Sequence, residues 1–478
     1  MTANKYLLYL IAVPLMMMAG CNKWLDVKPK TQVDAELLYE REAGFKDVLY
    51  GAYVNMASAQ MYGREMTFGM VDALGNVYPN VGYLYSLVRD GVYTNAQVEP
   101  LITGIWSTTY NTLANLNNLI SHLNAADRNM FAADNYNVIK GEALGLRGFL
   151  HFDMLRLFAP SFKANAAAQA IPYVVNYAFR PTAFASVSVV MDSVIADLKA
   201  AAGLLQQSDP IYTGRVINPN VDDGYLLNRR YHLNYYAIKA ALARAYMYKG
   251  DLANAAQCAD EVINSSKFTW IRLDDIATLD ETRKDRSFKD EQVLVLDVAH
   301  LADNIIDRLT MGGAGMGSIA LWYVSNDINS LYSFANDWRK LYMWTDERNS
   351  ISNGRFNTKL YQPQGIRDSL ARRMPLIRLP ELYLISAEAA FDTDPEKARS
   401  RINTLRRNRG FEVDIPTGTP AAALRNELLL EYRREFICEG VLFYYYKRLD
   451  ADRMANVPGN YNKQKYVLPL PVDETQFR

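Results

Sequence analysis

The sequence has few cysteines and few histidines, and no motif is built from either. Cys21, Cys258 and Cys438 are its three cysteines, and no Cys-x-x-Cys occurs. His122, His151, His232 and His300 show no His-Glu-x-x-His spacing. A zinc site or a disulfide framework therefore lacks its ligands, and no metal or cofactor is expected. An excess of charge is also lacking. Lys and Arg number 52, as do Asp and Glu, so no net field points to nucleic acid or to an anionic lipid surface. No apolar run reaches the roughly 20 residues of a membrane-spanning helix. Neither a Walker A sequence nor Gly-x-Ser-x-Gly is present. A Gly-x-Gly-x-x-Ala frame runs from Gly315 to Ala320 within the glycine-rich stretch around 312–318. No strand of a βαβ unit leads into it, so it reads as a flexible loop and not as a dinucleotide site. With no nucleophile motif and no readable acid–base pair, an enzyme ranks behind a binding protein.

What the chain does have is an ordinary globular balance, 50% hydrophobic and 22% charged, and an abundance of tyrosine, 32 in 478 residues. At about 150 residues per domain the length suggests two to four domains, or one large one. Tyrosine joins a flat apolar face to a polar tip, which suits wet recognition surfaces as well as helix packing.

The first 21 residues read as a targeting segment. Lys5 precedes Tyr6–Met18, 13 residues without charge. That is too short to span a membrane and right for a signal-peptide core. Ala19 and Gly20 then lead into Cys21, and Met-Met-Ala-Gly-Cys resembles a bacterial lipobox in which the cysteine sulfur takes a diacylglyceryl group. Met18 stands where leucine is usual. Cleavage before Cys21 removes one lysine and no acid, leaving 51 − 52 = −1. Residues 1–20 are thus expected to be a lipoprotein signal peptide, with 21–478 as the mature domain. Cys258 and Cys438 lie in helical patterns and read as buried free thiols.

Helical periodicity is strong from 106. Ile139, Ala143, Leu146, Leu150, Met154 and Leu157 keep one apolar face, as do Met191, Val194, Ile195, Leu198, Ala202 and Leu205. At 235–264 an alanine-rich helix breaks at Lys249-Gly250-Asp251, where the glycine suits a left-handed C-terminal position and the aspartate an N-cap. A second alanine-rich helix follows, and the pair is similar to a tetratricopeptide hairpin. A second hairpin is expected at 379–408, with Asp394 as N-cap, Pro395 at the first helical position and Gly410 beyond the end. Long stretches lacking helical periodicity separate the hairpins, so no continuous solenoid is expected.

Those stretches, 57–105 and 265–378, contain one strand-like run at 291–298 and many aromatics. Long loops on a helical scaffold are where binding residues concentrate. Trp322, Tyr323, Tyr332, Phe334, Trp338, Tyr342 and Trp344 form the densest group. Rings there either stack on sugar faces or pack a capping loop onto the helices. Trp322, Tyr323 and Trp338 are the candidate ligand-binding rings, with Asp72 and Asp337 as hydroxyl partners. Asp337 is the weakest choice, because with Arg339 it forms an aspartate–x–arginine segment suited to a structural ion pair.

Several segments together carry a family resemblance: CNKWLDVKPK after Cys21, KGEALGLRGFLHFDMLRLFAP (140–160), AALARAYMYKGDLANAA (240–256), NDWRKLY (336–342), MPLIRLPELYLISAEAAF with INTLRRNRG (374–410), LLLEYRREFICEG (428–440) and YVLPLPVDE (466–474). In this order they resemble the SusD/RagB family of outer-membrane nutrient-binding lipoproteins, over nearly the whole mature chain. The chain departs where the family usually has an arginine and an aspartate after Glu439-Gly440; Leu442 and Tyr445 stand there. The resemblance implies an all-α fold: a scaffold of tetratricopeptide-like hairpins, mainly 106–264 and 379–449, with a large irregular cap, mainly 57–105 and 265–378. It implies a lipid anchor at Cys21 on the exterior face of the outer membrane, an oligosaccharide ligand, delivery to a SusC-like TonB-dependent transporter, and no catalysis. No ligand-binding residue carries over, because the family's vary. A tetratricopeptide adaptor for envelope proteins and a peptide-binding family member are the alternatives.

Overall fold

The computed structural model describes residues 37–178, 180–218, 224–309, 319–345, 354–457 and 459–476. Residues 1–36, with Cys21, and the glycine-rich 312–318 lie outside the described residues. The scaffold helices are α1 (Glu42–Met56), α2 (Glu99–Ala125), α3 (Asn135–Phe158), α4 (Val187–Ser208), α5 (Tyr235–Lys249), α6 (Leu252–Asn264), α7 (Leu379–Ala390), α8 (Pro395–Arg407), α9 (Ala421–Glu435) and α10 (Leu442–Leu449). The expected hairpins form with local caps. Gly250 has φ +85°, and Asp251 accepts the Asn254 N–H at 3.2 Å. Asp394 accepts the Lys397 N–H at 2.9 Å, with Pro395 opening α8. α2 begins at Glu99 and not at 106, because Pro100 fits its first turn.

From α1 to α9 each helix packs on the next in chain order. This corrects the expectation of hairpins without a continuous stack. α6 packs directly on α7 although residues 265–378 lie between them, so the cap is an insertion looped out of one helical array. Alanines at the contacts, such as Ala241, Ala255, Ala259 and Ala387, let the backbones approach. Centrally, α3 meets α4 along a glycine stripe. A Cβ at Gly145 would stand 2.8 Å from both Ile238 Cδ1 and Leu233 Cδ2, and one at Gly141 2.8 Å from Leu205 Cγ. No larger residue fits there without moving its neighbours.

The cap is pinned by short strands. β1 (Asn80–Val81), β5 (Leu321–Val324) and β6 (Gly354–Arg355) form one small antiparallel sheet. β2 (Gln169–Pro172) pairs with β3 (Phe184–Ser186) beside the scaffold. β4 (Gln292–Asp297), the strand expected from 291–298, pairs with β7 (Arg373–Arg378), which runs straight into α7. β7 lies within the expected cap boundary and feeds the scaffold from it.

A buried ion network joins cap to scaffold. Arg378, at the end of β7, contacts Glu291 at 2.9 Å, Glu435 at 2.7 Å and Glu439 at 2.6 Å. Arg409 contacts Glu291 at 2.7 Å and Glu435 at 2.8 Å. Arg339 contacts Asp337 at 2.7 Å, Glu431 at 2.9 Å and Glu435 at 3.0 Å. Each arginine here has two or more carboxylate partners, which offsets the cost of removing it from water. Arg378 and Arg409 are held further above their ordinary range by their carboxylate neighbours than burial lowers them. The Glu-rich and Arg-rich segments 374–410 and 428–440 are therefore structural. Leu442 is buried in the core, and Tyr445 is tilted against Tyr432 with ring centroids 4.4 Å apart.

Cys258 and Cys438 are buried free thiols. Cys438 is not helical: it sits after α9 with φ +71°.

Candidate functional site

The cap carries an open cleft of about 980 Å³. Its walls come from residues 277–286, the helix Leu301–Leu309, residues 341–345 and residues 358–363. Two backbone bonds hold its floor: Thr345 N–H donates to Phe356 O at 3.0 Å and Thr358 N–H to Met343 O at 2.9 Å. A single bridge between Trp344 and Asn357 lies between them.

Trp344 is the central ring. It is 7% exposed, and among the described residues its buried Nε1–H has no hydrogen-bond partner. An indole N–H in that condition has a donor to offer a bound molecule or a water. The ring is held edge-on against Tyr323 at 4.8 Å and Tyr332 at 6.3 Å between centroids. Tyr342 and Tyr361 line the same cleft; Tyr361 is 40% exposed, with the Arg286 guanidinium 5.4 Å from its ring centre. Leu279, Leu341 and Ile306 present exposed apolar edges.

The charged groups of the cleft, Glu281, Lys284 and Arg286, lie on one segment. Lys284 contacts Glu281 at 2.7 Å, and Arg286 pairs with the same carboxylate. Burial lowers the Arg286 guanidinium to about 10, and among the described residues its Nε–H has no partner. Burial also lowers Lys284 from its ordinary range. Rings, aliphatic edges and a few charged donors make a surface that can stack on a ring and hydrogen-bond its substituents. Among the described residues no group of three or more His, Cys, Asp or Glu is placed to hold a metal ion.

The five residues expected from sequence do not converge on this cleft. Asp72 is fully enclosed. Its Oδ2 accepts the Cys438 N–H and its Oδ1 the Gly440 N–H, each at 2.9 Å, and Tyr78 OH donates at 3.3 Å. The hydroxyl-partner expectation for Asp72 is corrected: its oxygens tie the cap to the turn between α9 and α10. Asp337 is corrected likewise, because it is fully buried against Arg339. Tyr323 faces inward, with its hydroxyl donating to Val77 O and its ring backing Trp344. That inward position follows from strand alternation: in β5, Leu321 and Tyr323 are buried while Trp322 and Val324 face out. Trp322 is half-buried on the outer face, opposite Asn80 and against Gly354, where a Cβ would stand 3.0 Å from its Cδ1. Trp338 is half-buried and packs on Gly410, whose missing Cβ would meet Trp338 Nε1 at 2.5 Å. Neither tryptophan lines the cleft.

The sequence marked Tyr342 and Trp344 only as members of an aromatic stretch. Tyr361, Lys284 and Arg286 carried no signal, since they reach the cleft from two segments outside that aromatic stretch.

Helical hairpins stacked into one array, with an inserted irregular cap holding an aromatic cleft, define a tetratricopeptide-like scaffold protein. A family model described as starch-binding associating with outer membrane matches residues 23–216, and the SusD family model matches residues 317–475. The SusD-like protein P2 of Formosa agariphila is 22% identical, across 98% of this chain and 97% of its own length. A solved SusD superfamily protein from Bacteroides thetaiotaomicron is similar with a TM-score of 0.71 at 19% identity, over 91% of this chain and 97% of that one. A SusD-like carbohydrate binding protein from Bacteroides vulgatus gives 0.69 at 18%, over 91% and 96%. The chain belongs to the SusD/RagB family.

Proposed function

We propose that this protein binds oligosaccharides at the cell surface, through the cap cleft around Trp344, and passes them to a SusC-like TonB-dependent transporter. The observation that carries the reading is a cleft walled by the rings of Trp344, Tyr342 and Tyr361, in which the indole N–H of Trp344 has no partner among the described residues. Flat rings stack on the apolar faces of sugars, and unpaired donors bond their hydroxyls. Membership in a family whose model is described as starch-binding, and the carbohydrate-binding description of a solved neighbour, support the ligand class. Anchoring through a lipid on Cys21, after removal of residues 1–20, is read from the lipobox, and the outer membrane as its location is supported by the family description. No helix among the described residues is long and apolar enough to cross a membrane. Trp322, half-buried on the cap surface, is a second proposed ring contact. The protein acts by binding and release, without bond cleavage.

The test is calorimetric titration with a panel of neutral and acidic oligosaccharides. Trp344→Phe keeps most of the ring and removes the N–H; Tyr361→Ala removes one wall. Loss of a neutral hydrogen bond should weaken binding by roughly 0.5–1.5 kcal/mol, about 2- to 12-fold. Unchanged affinity in both variants, with a panel member bound, would move the site elsewhere on the cap. Unchanged chain length after prolonged incubation is the expected sign of non-catalytic binding.

A further inference from the structure

A second cleft, of about 740 Å³, opens where residues 228–231, 289–290 and 368–373 meet. Arg230 and Arg373 both line it. Arg373 donates from Nε to Gln292 Oε1 at 2.7 Å, and from Nη1 to Tyr231 OH at 2.6 Å and Ser369 O at 3.5 Å. Arg230 donates from Nη1 to Lys289 O at 3.1 Å and Asp290 O at 3.2 Å, and from Nη2 to Lys267 O at 2.9 Å. Every acceptor is neutral. Among the described residues neither guanidinium is paired with a carboxylate, and Arg373 Nη2 and Arg230 Nε make no hydrogen bond. Arg229, on the same wall, is by contrast spent on Glu142 at 2.5 Å and Asp209 at 2.9 Å.

Two like charges near one another, each with unused donors, are an unfavourable arrangement until an anion arrives. Burial lowers both guanidiniums from their ordinary range, and each has other arginine or aspartate charges around it without a direct pair. Arg230 is also lowered by Arg373 itself. The aromatic neighbours fix the planes: Arg373 lies over Tyr231 at 4.9 Å and Arg230 over Phe268 at 5.1 Å. Lys289 also lines the cleft, 3.7 Å from Asp290. Asp290 and Asp368 line it too, and Asp290 acts on both guanidiniums without pairing directly with either.

We propose that Arg230 and Arg373 form an oxyanion subsite that takes a carboxylate or sulfate group of an acidic oligosaccharide. The planar fork of arginine suits both groups, and hydrogen bonds to charged groups are the strong ones. The ligand class rests on the glycan-binding reading, but the subsite does not use the aromatic cleft. Binding here should weaken as salt rises, since part of the cleft is open to solvent.

The experiment titrates the full mature chain, at low and high salt, with inorganic sulfate, oligogalacturonides, sulfated galactan oligosaccharides and neutral maltooligosaccharides. The two acidic glycans separate carboxylate from sulfate as the preferred group. At least one should bind more tightly than the neutral series. Arg230→Gln and Arg373→Gln should each weaken it by roughly 10- to 100-fold, the worth of a charge-assisted hydrogen bond, while leaving neutral ligands unaffected. Arg373 also holds Gln292 across the β4–β7 pair, so Arg230→Gln, on a half-exposed side chain, keeps the test valid if Arg373→Gln melts early. Neutral glycans bound as tightly as acidic ones, or acidic binding indifferent to both variants, would overturn the subsite and leave the glycan reading standing. If no glycan binds but inorganic sulfate does and is lost in the variants, the subsite stands and the glycan reading falls.

Discussion

Arg378 and Glu435 lie 2.7 Å apart, Nη1 to Oε1, with neither side chain reaching solvent. The pair bridges the end of β7 and the end of α9, and Glu435 also takes Arg409 and Arg339. Its carboxyl is held well below the usual range: burial raises it, and the surrounding guanidiniums more than reverse that.

Glu435→Gln removes the charge shared by three arginines. It should lower unfolding free energy by about 3–5 kcal/mol, as for other broken buried pairs. Urea denaturation measures it. A change within the surface range of about 0.5 kcal/mol would show that the network does not hold cap to scaffold.

Asp72 makes stability depend on pH. Burial raises its carboxyl to about 8, partly offset by the Gly440 and Cys438 N–H bonds. In the unfolded chain aspartate titrates near about 3.9. Folding therefore takes up a proton between those values, so this contribution is complete at low pH and is lost as pH rises through about 8. His151 acts in the opposite sense at lower pH, since burial depresses it to about 4. Above about 6.5, the ordinary histidine value, His151 adds no further slope, while burial lowers Lys447 and Lys359 and gives them a slope opposite to that of Asp72. Between about 6.5 and about 8 the Asp72 contribution falls with pH, so the melting temperature of Asp72→Asn should rise with pH relative to that of the unmodified chain. An unaltered slope in the variant would rule the assignment out.

The tryptophans should separate by role. Trp338→Ala empties the contact with Gly410 and should cost about 1–3 kcal/mol of stability, with ligand affinity unchanged. Trp322→Ala, on the outer face of β5, should leave the melting temperature nearly as it was. If its ring stacks on sugar, affinity should drop by roughly 1–3 kcal/mol, by analogy with base stacking. Early melting of the Trp322 variant would make that ring a packing element.

Cys21→Ala should release the protein from the outer-membrane fraction while its melting curve stays the same. Membrane fractionation checks this. Retention of the variant in the membrane would exclude anchoring through that thiol.

The sequence by itself determined what is set by neighbours along the chain. The turns at Gly250-Asp251 and Asp394-Pro395 were legible because caps depend on residues within one helical turn. The family was legible from ordered segments such as 374–410 and 428–440, whose arginines and glutamates the structure joins in one buried network. The inward Tyr323 and outward Trp322 follow from strand alternation, yet the sequence did not show that 321–324 is a strand, because its partners are two-residue pieces at 80–81 and 354–355. Only the tertiary structure decided that α6 meets α7 across the whole cap, that Asp72 lies under the α9–α10 turn, and that Trp344, Tyr361 and Arg286 share a cleft while Arg230 and Arg373 share another. Burial and convergence are sums over residues far apart in sequence, and no local pattern of side chains encodes where such sums will fall.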